Sequence, residues 1–225
     1  MGNTETLTIS VANKSKAMQN FYLFQEKPRV PGVDEEQIFS NAYGVASTIQ
    51  PPGIATFTIN HTYYALCGTS TNPLAEGVTV STAIPENVVL GTGKGDATLA
   101  RLTTKDQRPL WQRPPQTLKA LNGFGIQTDG TFPYPSETNI FIGVGADDPV
   151  SGIGNKIAVT SIPAEPSKKY TFTPIKKYYV CTGDYQRGEI VDVSSIGNPF
   201  ELDLTQDPAH LVQLEYDQFG KFTRK

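Results

Sequence analysis

The sequence predicts an all-β protein made of two duplicated, sandwich-like lobes. Three observations carry that expectation. Among 225 residues stand 20 Gly and 17 Pro, more turn formers than usual but fewer than a low-complexity chain holds. Short segments alternate apolar with polar residues, as half-buried strands must. Finally, one half of the chain repeats in the other at an offset of 111 to 115 residues.

The strand candidates follow in chain order. Leu7-Thr8-Ile9-Ser10-Val11, Thr56-Phe57-Thr58-Ile59 and Val78-Thr79-Val80-Ser81 alternate in the first half. Tyr170-Thr171-Phe172-Thr173 and Ile190-Val191-Asp192-Val193 do so in the second. Turn chemistry separates them at Gln50-Pro51-Pro52-Gly53, Ala75-Glu76-Gly77, Asp129-Gly130, Gly152-Ile153-Gly154 and Asp217-Gln218-Phe219-Gly220. The helix-like stretch Asp34 to Ser40 is too short to change the class.

The repeat sets the domain plan. FTINHTYYALCGT from Phe57 matches FTPIKKYYVCTGD from Phe172, aligning Tyr63-Tyr64 with Tyr178-Tyr179 and, after a one-residue gap, Cys67 with Cys181. Asn41, Val45, Ser47 and Pro52 fall on Asn155, Val159, Ser161 and Pro166, and GVTVSTAIPEN from Gly77 resembles GEIVDVSSIGN from Gly188. Residues 1–100 and 121–225 are therefore expected as two β lobes about a pseudo-twofold axis. Residues 101–120, with three Pro and the single Trp, read as an extended Pro/Arg-rich crossover between them.

Composition limits the function. Hydrophobic residues at 38% suffice for a core, while charged residues at 18% are sparse against the usual ~25%. A net charge of −3 gives the whole molecule no electrostatic reason to bind nucleic acid. Charge is nevertheless uneven, because residues 101–120 carry Arg101, Lys105, Arg108, Arg113 and Lys119 against Asp106 alone. Such a strip either lies across acidic surfaces or binds an anion. No apolar run is long enough for a membrane helix, and MGNTETLTIS has no secretory features. Gly2 and Thr6 fit an acylation pattern that no basic patch supports. With two Cys and no disulfide framework, the expected compartment is the cytoplasm, where the sequons at Asn13 and Asn60 carry no meaning.

Catalytic templates mostly fail. His61 and His210 are the only histidines, and His61, read as a surface residue, stands roughly 20 Å along a strand from Cys67. No Cys or His cluster with metal-ligand spacing exists. Gly91–Asp96 and Gly143–Pro149 lack the Gly-Lys-Ser/Thr and helix of a phosphate cradle, so Asp147-Asp148 reads as a β-turn. The matched cysteines are expected as buried thiols, although a pseudo-twofold could bring them together.

Aromatic residues are the remaining candidates. Tyr63 and Tyr64 must face opposite sides of a sheet, as must Tyr178 and Tyr179, so Tyr64 and Tyr179 are free to line a groove between lobes. Trp111, flanked by Arg108 and Arg113, either stacks on a ligand or plugs the lobe junction. Tyr134, in Phe132-Pro133-Tyr134-Pro135, has similar status.

An opening strand followed by NFYLFQEKP, ATFTINHTYYALCGT and the Ala75–Val78 turn resembles the rhizosphere-induced RhiA-like proteins of bacteria and their fungal relatives, and KYTFTPIKKYYVCTGDYQRGEIVDV resembles their second copy. The resemblance spans most of the chain and implies a small soluble β-sandwich protein. It brings no catalytic signature.

The leading functional expectation is a non-catalytic binding protein for a small molecule or carbohydrate, needing no metal or cofactor, with its site near the junction at Trp111, Arg108, Arg113, Tyr134, Tyr64 and Tyr179. Neither nucleic acid nor membrane is an expected partner, and a homo-oligomer is possible. The alternatives are a cofactor-free cyclase or isomerase acting on a hydrophobic metabolite, and a self-assembling structural protein.

Overall fold

The computed structural model describes residues 6–82, 84–193, 196–205 and 210–225. Gly2, Ala83, Ser194 and Ser195, which entered the motif and repeat readings, lie outside the described residues. The protein is all-β, and a 3-10 turn, Glu35–Gln37, occupies the helix-like stretch. Among the described residues no helix is long and apolar enough to cross a membrane.

The first sandwich pairs two four-stranded sheets. One has the order β19 (Phe222–Arg224), β18 (Leu211–Tyr216), β1 (Leu7–Asn13), β5 (Ile54–Ile59). The other runs β17 (Phe200–Asp203), β15 (Lys177–Thr182), β2 (Gln19–Gln25), β4 (Gly44–Ile49). Alternation assigns the faces: Leu7, Ile9 and Val11 point inward and meet Phe57, Val212 and Leu214 from neighbouring strands, with Phe21, Leu23, Tyr178 and Val180 opposite. These aliphatic and aromatic side chains exclude water from one continuous core.

The second sandwich faces β10 (Arg108–Leu118), β9 (Ala97–Lys105), β11 (Phe124–Thr128), β14 (Lys169–Phe172) against a longer sheet. That sheet runs β16 (Ile190–Val191), β3 (Phe39–Asn41), β13 (Gly152–Pro163), β12 (Phe141–Asp148), β6 (Tyr63–Ser70), β7 (Val80–Thr82), with β8 (Glu86–Asn87) also on β6. Phe124, Ile126, Phe172, Ala65, Ile142 and Val144 fill its core.

Both outer sheets have the same plan: a parallel central pair, β1 with β18 and β11 with β9, flanked by antiparallel partners. Neither sandwich comes from one half of the chain. β15 pairs with β2, and β6 pairs with β12, so residues 1–100 and 121–225 interleave in both.

Two expectations require correction. Residues 101–120 are no crossover: they form most of the β9–β10 hairpin, turned by Asp106 and Gln107, both at positive φ. Pro is tolerated on β10 because it is an edge strand whose outward N–H groups belong to no ladder, and Pro114 and Pro115 fall in the register break between Gln112 and Gln116. Gly143–Asp148 is no turn but the buried interior of β12. There a Cβ on Gly143 would stand 1.8 Å from the Thr160 carbonyl oxygen, so only glycine admits the neighbouring strand. The cysteines are buried thiols as expected, and the one-residue gap puts them on different faces, because side chains alternate. Cys67 lies in the second core and Cys181 in a separate cluster outside the first. Both are free, and burial pushes each thiol up to about 12.

Candidate ligand-binding face

The outer face of the β10-β9-β11-β14 sheet collects side chains by simple alternation. Ala100 and Leu102 enter the core, so Arg101, Thr103 and Lys105 point the other way. Register then builds a cross-strand row. Arg101 stands opposite Gln112 on β10 and Gln127 on β11, and Gln127 stands opposite Lys169 on β14. A bulge in β10 between Gln112 and Gln116 bends the edge strand beside Arg101. The result is an open concavity of about 430 Å³ lined by Arg101, Gln112, Gln116, Gln127, Asp129 and Ser167.

Its polar groups are only partly committed. Arg101 Nη2 donates to the Pro114 carbonyl at 3.2 Å, while Nε is buried without a partner. Gln112 Nε2 donates to Asp129 Oδ2 at 3.1 Å. Partial burial pushes the Asp129 carboxyl up, but bonds donated by Thr131 and Thr103 outweigh it and hold the group below its ordinary range. The face thus offers a guanidinium, planar amides and one ionised carboxylate, a set suited to a hydroxylated or charged organic ligand.

The residues expected from sequence scatter. Arg108 does reach the outer face, opposite Lys105 near the hairpin turn. Trp111 faces inward: it is 8% exposed, packs in the second core, and its Nε1–H donates to the Ile84 carbonyl at 2.6 Å. It seals the sandwich and cannot stack on a ligand. Arg113 Nη2 lies 2.8 Å from Glu86 Oε2, an ion-pair contact without hydrogen-bond geometry. Tyr134 is 49% exposed on the loop after β11. That loop borders a smaller concavity of about 200 Å³ lined by Gln107, Phe132 and Glu137.

Tyr64 and Tyr179 lie on different sheets but share a pattern. Tyr64 donates to Asp147 at 3.3 Å and lies beneath the Lys156 ammonium, which also pairs with Asp147. Tyr179 donates to Glu26, with the Lys177 ammonium 5.4 Å from its ring centre. The register partners of Tyr64 and Tyr179 are Gly145 and Phe24, and each acid follows its partner by two residues. Tyr179 also borders a wide groove of about 920 Å³ rich in acidic residues, including Glu26, Asp34, Glu35 and Asp192.

His61, expected at the surface, is half-buried at the β5–β6 turn, with Nδ1 3.1 Å from the Tyr178 hydroxyl. Asp148 is buried as well, 2.7 Å from Arg187 and accepting from the Val150 and Ser151 amides.

Sequence reasoning missed Gln112, Gln116, Gln127 and Asp129 and counted Arg101 as charge alone. The usable signal was the alternation in Leu99–Thr103 and Leu110–Gln112 around a two-residue turn. Reading the three Pro as marks of an extended crossover hid it.

A family model described as RhiA matches residues 4–221. No curated protein and no solved structure matches the chain.

Proposed function

The chain belongs to the RhiA family, and on that premise we propose a non-catalytic cytoplasmic protein that binds a small polar molecule or carbohydrate on the outer face of the β10-β9-β11-β14 sheet. The observation that carries this reading is the row Gln112–Arg101–Gln127, placed in register across three strands and lining one concavity. Strand pairing fixes the backbone from which these side chains project, so no backbone ordering opposes binding. Amides and a guanidinium recognise hydroxyls and oxyanions directly, without a metal or cofactor.

The concavity over the glutamine–arginine row is open and lined largely by polar groups, and the other two are open with polar and apolar groups mixed. That supports binding over a cyclase or isomerase, which would draw on an enclosed apolar chamber. Two buried free thiols suit a reducing compartment. The repeated sheet plan supports the further reading that the chain is a duplicated unit whose halves have exchanged strands.

The test is a thermal-shift screen of polar small molecules and oligosaccharides on wild type and on Gln112→Ala and Gln127→Ala. We expect hits whose stabilisation both variants lose. Hits that survive both substitutions place the site elsewhere.

A further inference from the structure

We propose that this face recognises a sugar acid: a polyhydroxylated ligand carrying a carboxylate, bound through Arg101. The inference rests on the binding function proposed above and names its ligand class.

Charge on the face is the first ground. Arg101, Lys105, Arg108 and Lys169 all belong to this outer layer, three of them by direct cross-strand pairing with one another or with the row. Among the described residues none of the four has an ion-pair partner, whereas Arg113 and Lys168 elsewhere do. The opposing carboxylate, Asp129, is already occupied by Thr131 N–H, Thr131 Oγ1 and Gln112 Nε2. An anion entering the concavity therefore meets the unneutralised Arg101 guanidinium and one capped acid, with the other three cations on the same face beyond the lining.

Hydrogen-bonding capacity is the second. Among the described residues the Arg101 guanidinium makes one hydrogen bond, through Nη2, and its Nε–H has no acceptor. A guanidinium carries five donors in a planar fork that matches a carboxylate. Gln116 and Gln127 make no side-chain hydrogen bond among the described residues, so their amides stay available to hydroxyls on either side. Asp129 gives the face direction. A carboxylate prefers the Arg101 and Lys169 side, and hydroxyl hydrogens prefer the Asp129 side.

A bare inorganic anion would leave those amides unused, and a neutral sugar would leave the guanidinium and Lys169 unpaired. A sugar acid satisfies both sets at once. The equivalent sheet of the first sandwich lacks the arrangement, because Glu215 there faces Thr223 and Ala12 and pairs with Lys225. One site per chain is expected.

The experiment titrates the full chain with glucuronate, glucose and acetate by calorimetry. Side-chain NH₂ signals of Gln112, Gln116 and Gln127 are followed in parallel by NMR. Wild type should bind glucuronate at least ~10-fold more tightly than glucose or acetate, with weakening at high salt. Arg101→Gln should abolish that preference, Arg101→Lys should restore part of it, and Lys169→Gln should weaken it less. These side chains lie outside the core, so unchanged melting temperatures will separate lost binding from lost folding. Equal binding of glucose and glucuronate, with the glutamine signals moving in both, overturns the sugar-acid inference and leaves the binding face intact. Acetate binding as tightly as glucuronate also overturns it. Silence of the glutamine signals with every ligand overturns the inference and removes support for the face itself.

Discussion

Tyr63 and Tyr178, the tyrosines at matching places in the two halves of the sequence, bring their hydroxyls close enough to shift each other's ionisation. Tyr63 belongs to the second core and Tyr178 to the first, so this approach marks where the cores meet. Gln25 Nε2 donates to the Tyr63 hydroxyl at 3.0 Å and to the Ile175 carbonyl at 2.8 Å, and His61 approaches Tyr178. Removing one hydroxyl strips partners from a buried network. Tyr178→Phe should lower stability by about 1–2 kcal/mol in chemical denaturation. No change would mean that the network does not couple the sandwiches.

The same tyrosines set an alkaline limit. Burial raises the hydroxyl of Tyr63 and, more strongly, that of Tyr178 above the ordinary value of 10.0. In the unfolded chain these groups ionise near that ordinary value, whereas in the folded protein they stay protonated. Their contribution is therefore fully present below pH 10 and is lost as pH rises above it. Denaturant midpoints measured from pH 8 to 11 should fall only at the alkaline end, and less steeply in a Tyr63→Phe, Tyr178→Phe double variant.

Trp111 is a core residue with a polar anchor, and its substitutions should behave accordingly. Trp111→Ala should cost about 3–5 kcal/mol, since it empties a large buried site. Trp111→Phe, which keeps most of the volume, should cost less. It should leave ligand affinity unchanged in calorimetry. Loss of binding in a Trp111→Phe protein that still melts cooperatively would restore the tryptophan to the ligand site.

Gly143 is required by strand spacing. Gly143→Ala drives a methyl group toward the Thr160 carbonyl, where 1.8 Å cannot be accommodated without moving β13. A loss of at least ~2 kcal/mol is expected, checked by thermal melting beside Gly77→Ala. At Gly77 a Cβ meets nothing within 4 Å and the cost comes from a positive φ alone. Equal melting temperatures for the two variants would contradict the tight β12–β13 packing.

The all-β class was legible because alternation survives where one face is buried: Leu7–Val11 and Thr56–Ile59 lie on β1 and β5 as read. Alternation fails where both faces are covered. β12 carries Gly and Asp at buried positions and so looks like a loop. Pairing between distant strands leaves no local mark, so Tyr64 and Tyr179 gave no hint that β6 pairs with β12 and β15 with β2. The candidate face was obscured for another reason. Its Gln and Arg side chains mean little singly, and only the Arg101–Gln112 and Arg101–Gln127 registers make them a set.

One titration decides whether that set is the working surface: ¹⁵N NMR of the full chain with the best hit of the polar-ligand screen. The binding face requires shifts concentrated at the Gln112, Gln116 and Gln127 side-chain amides and the Arg101 Nε–H, with the Trp111 indole N–H unmoved. Shifts centred on Tyr179 and Glu26 instead, with the glutamine amides silent, would move the site to the acidic groove and contradict it.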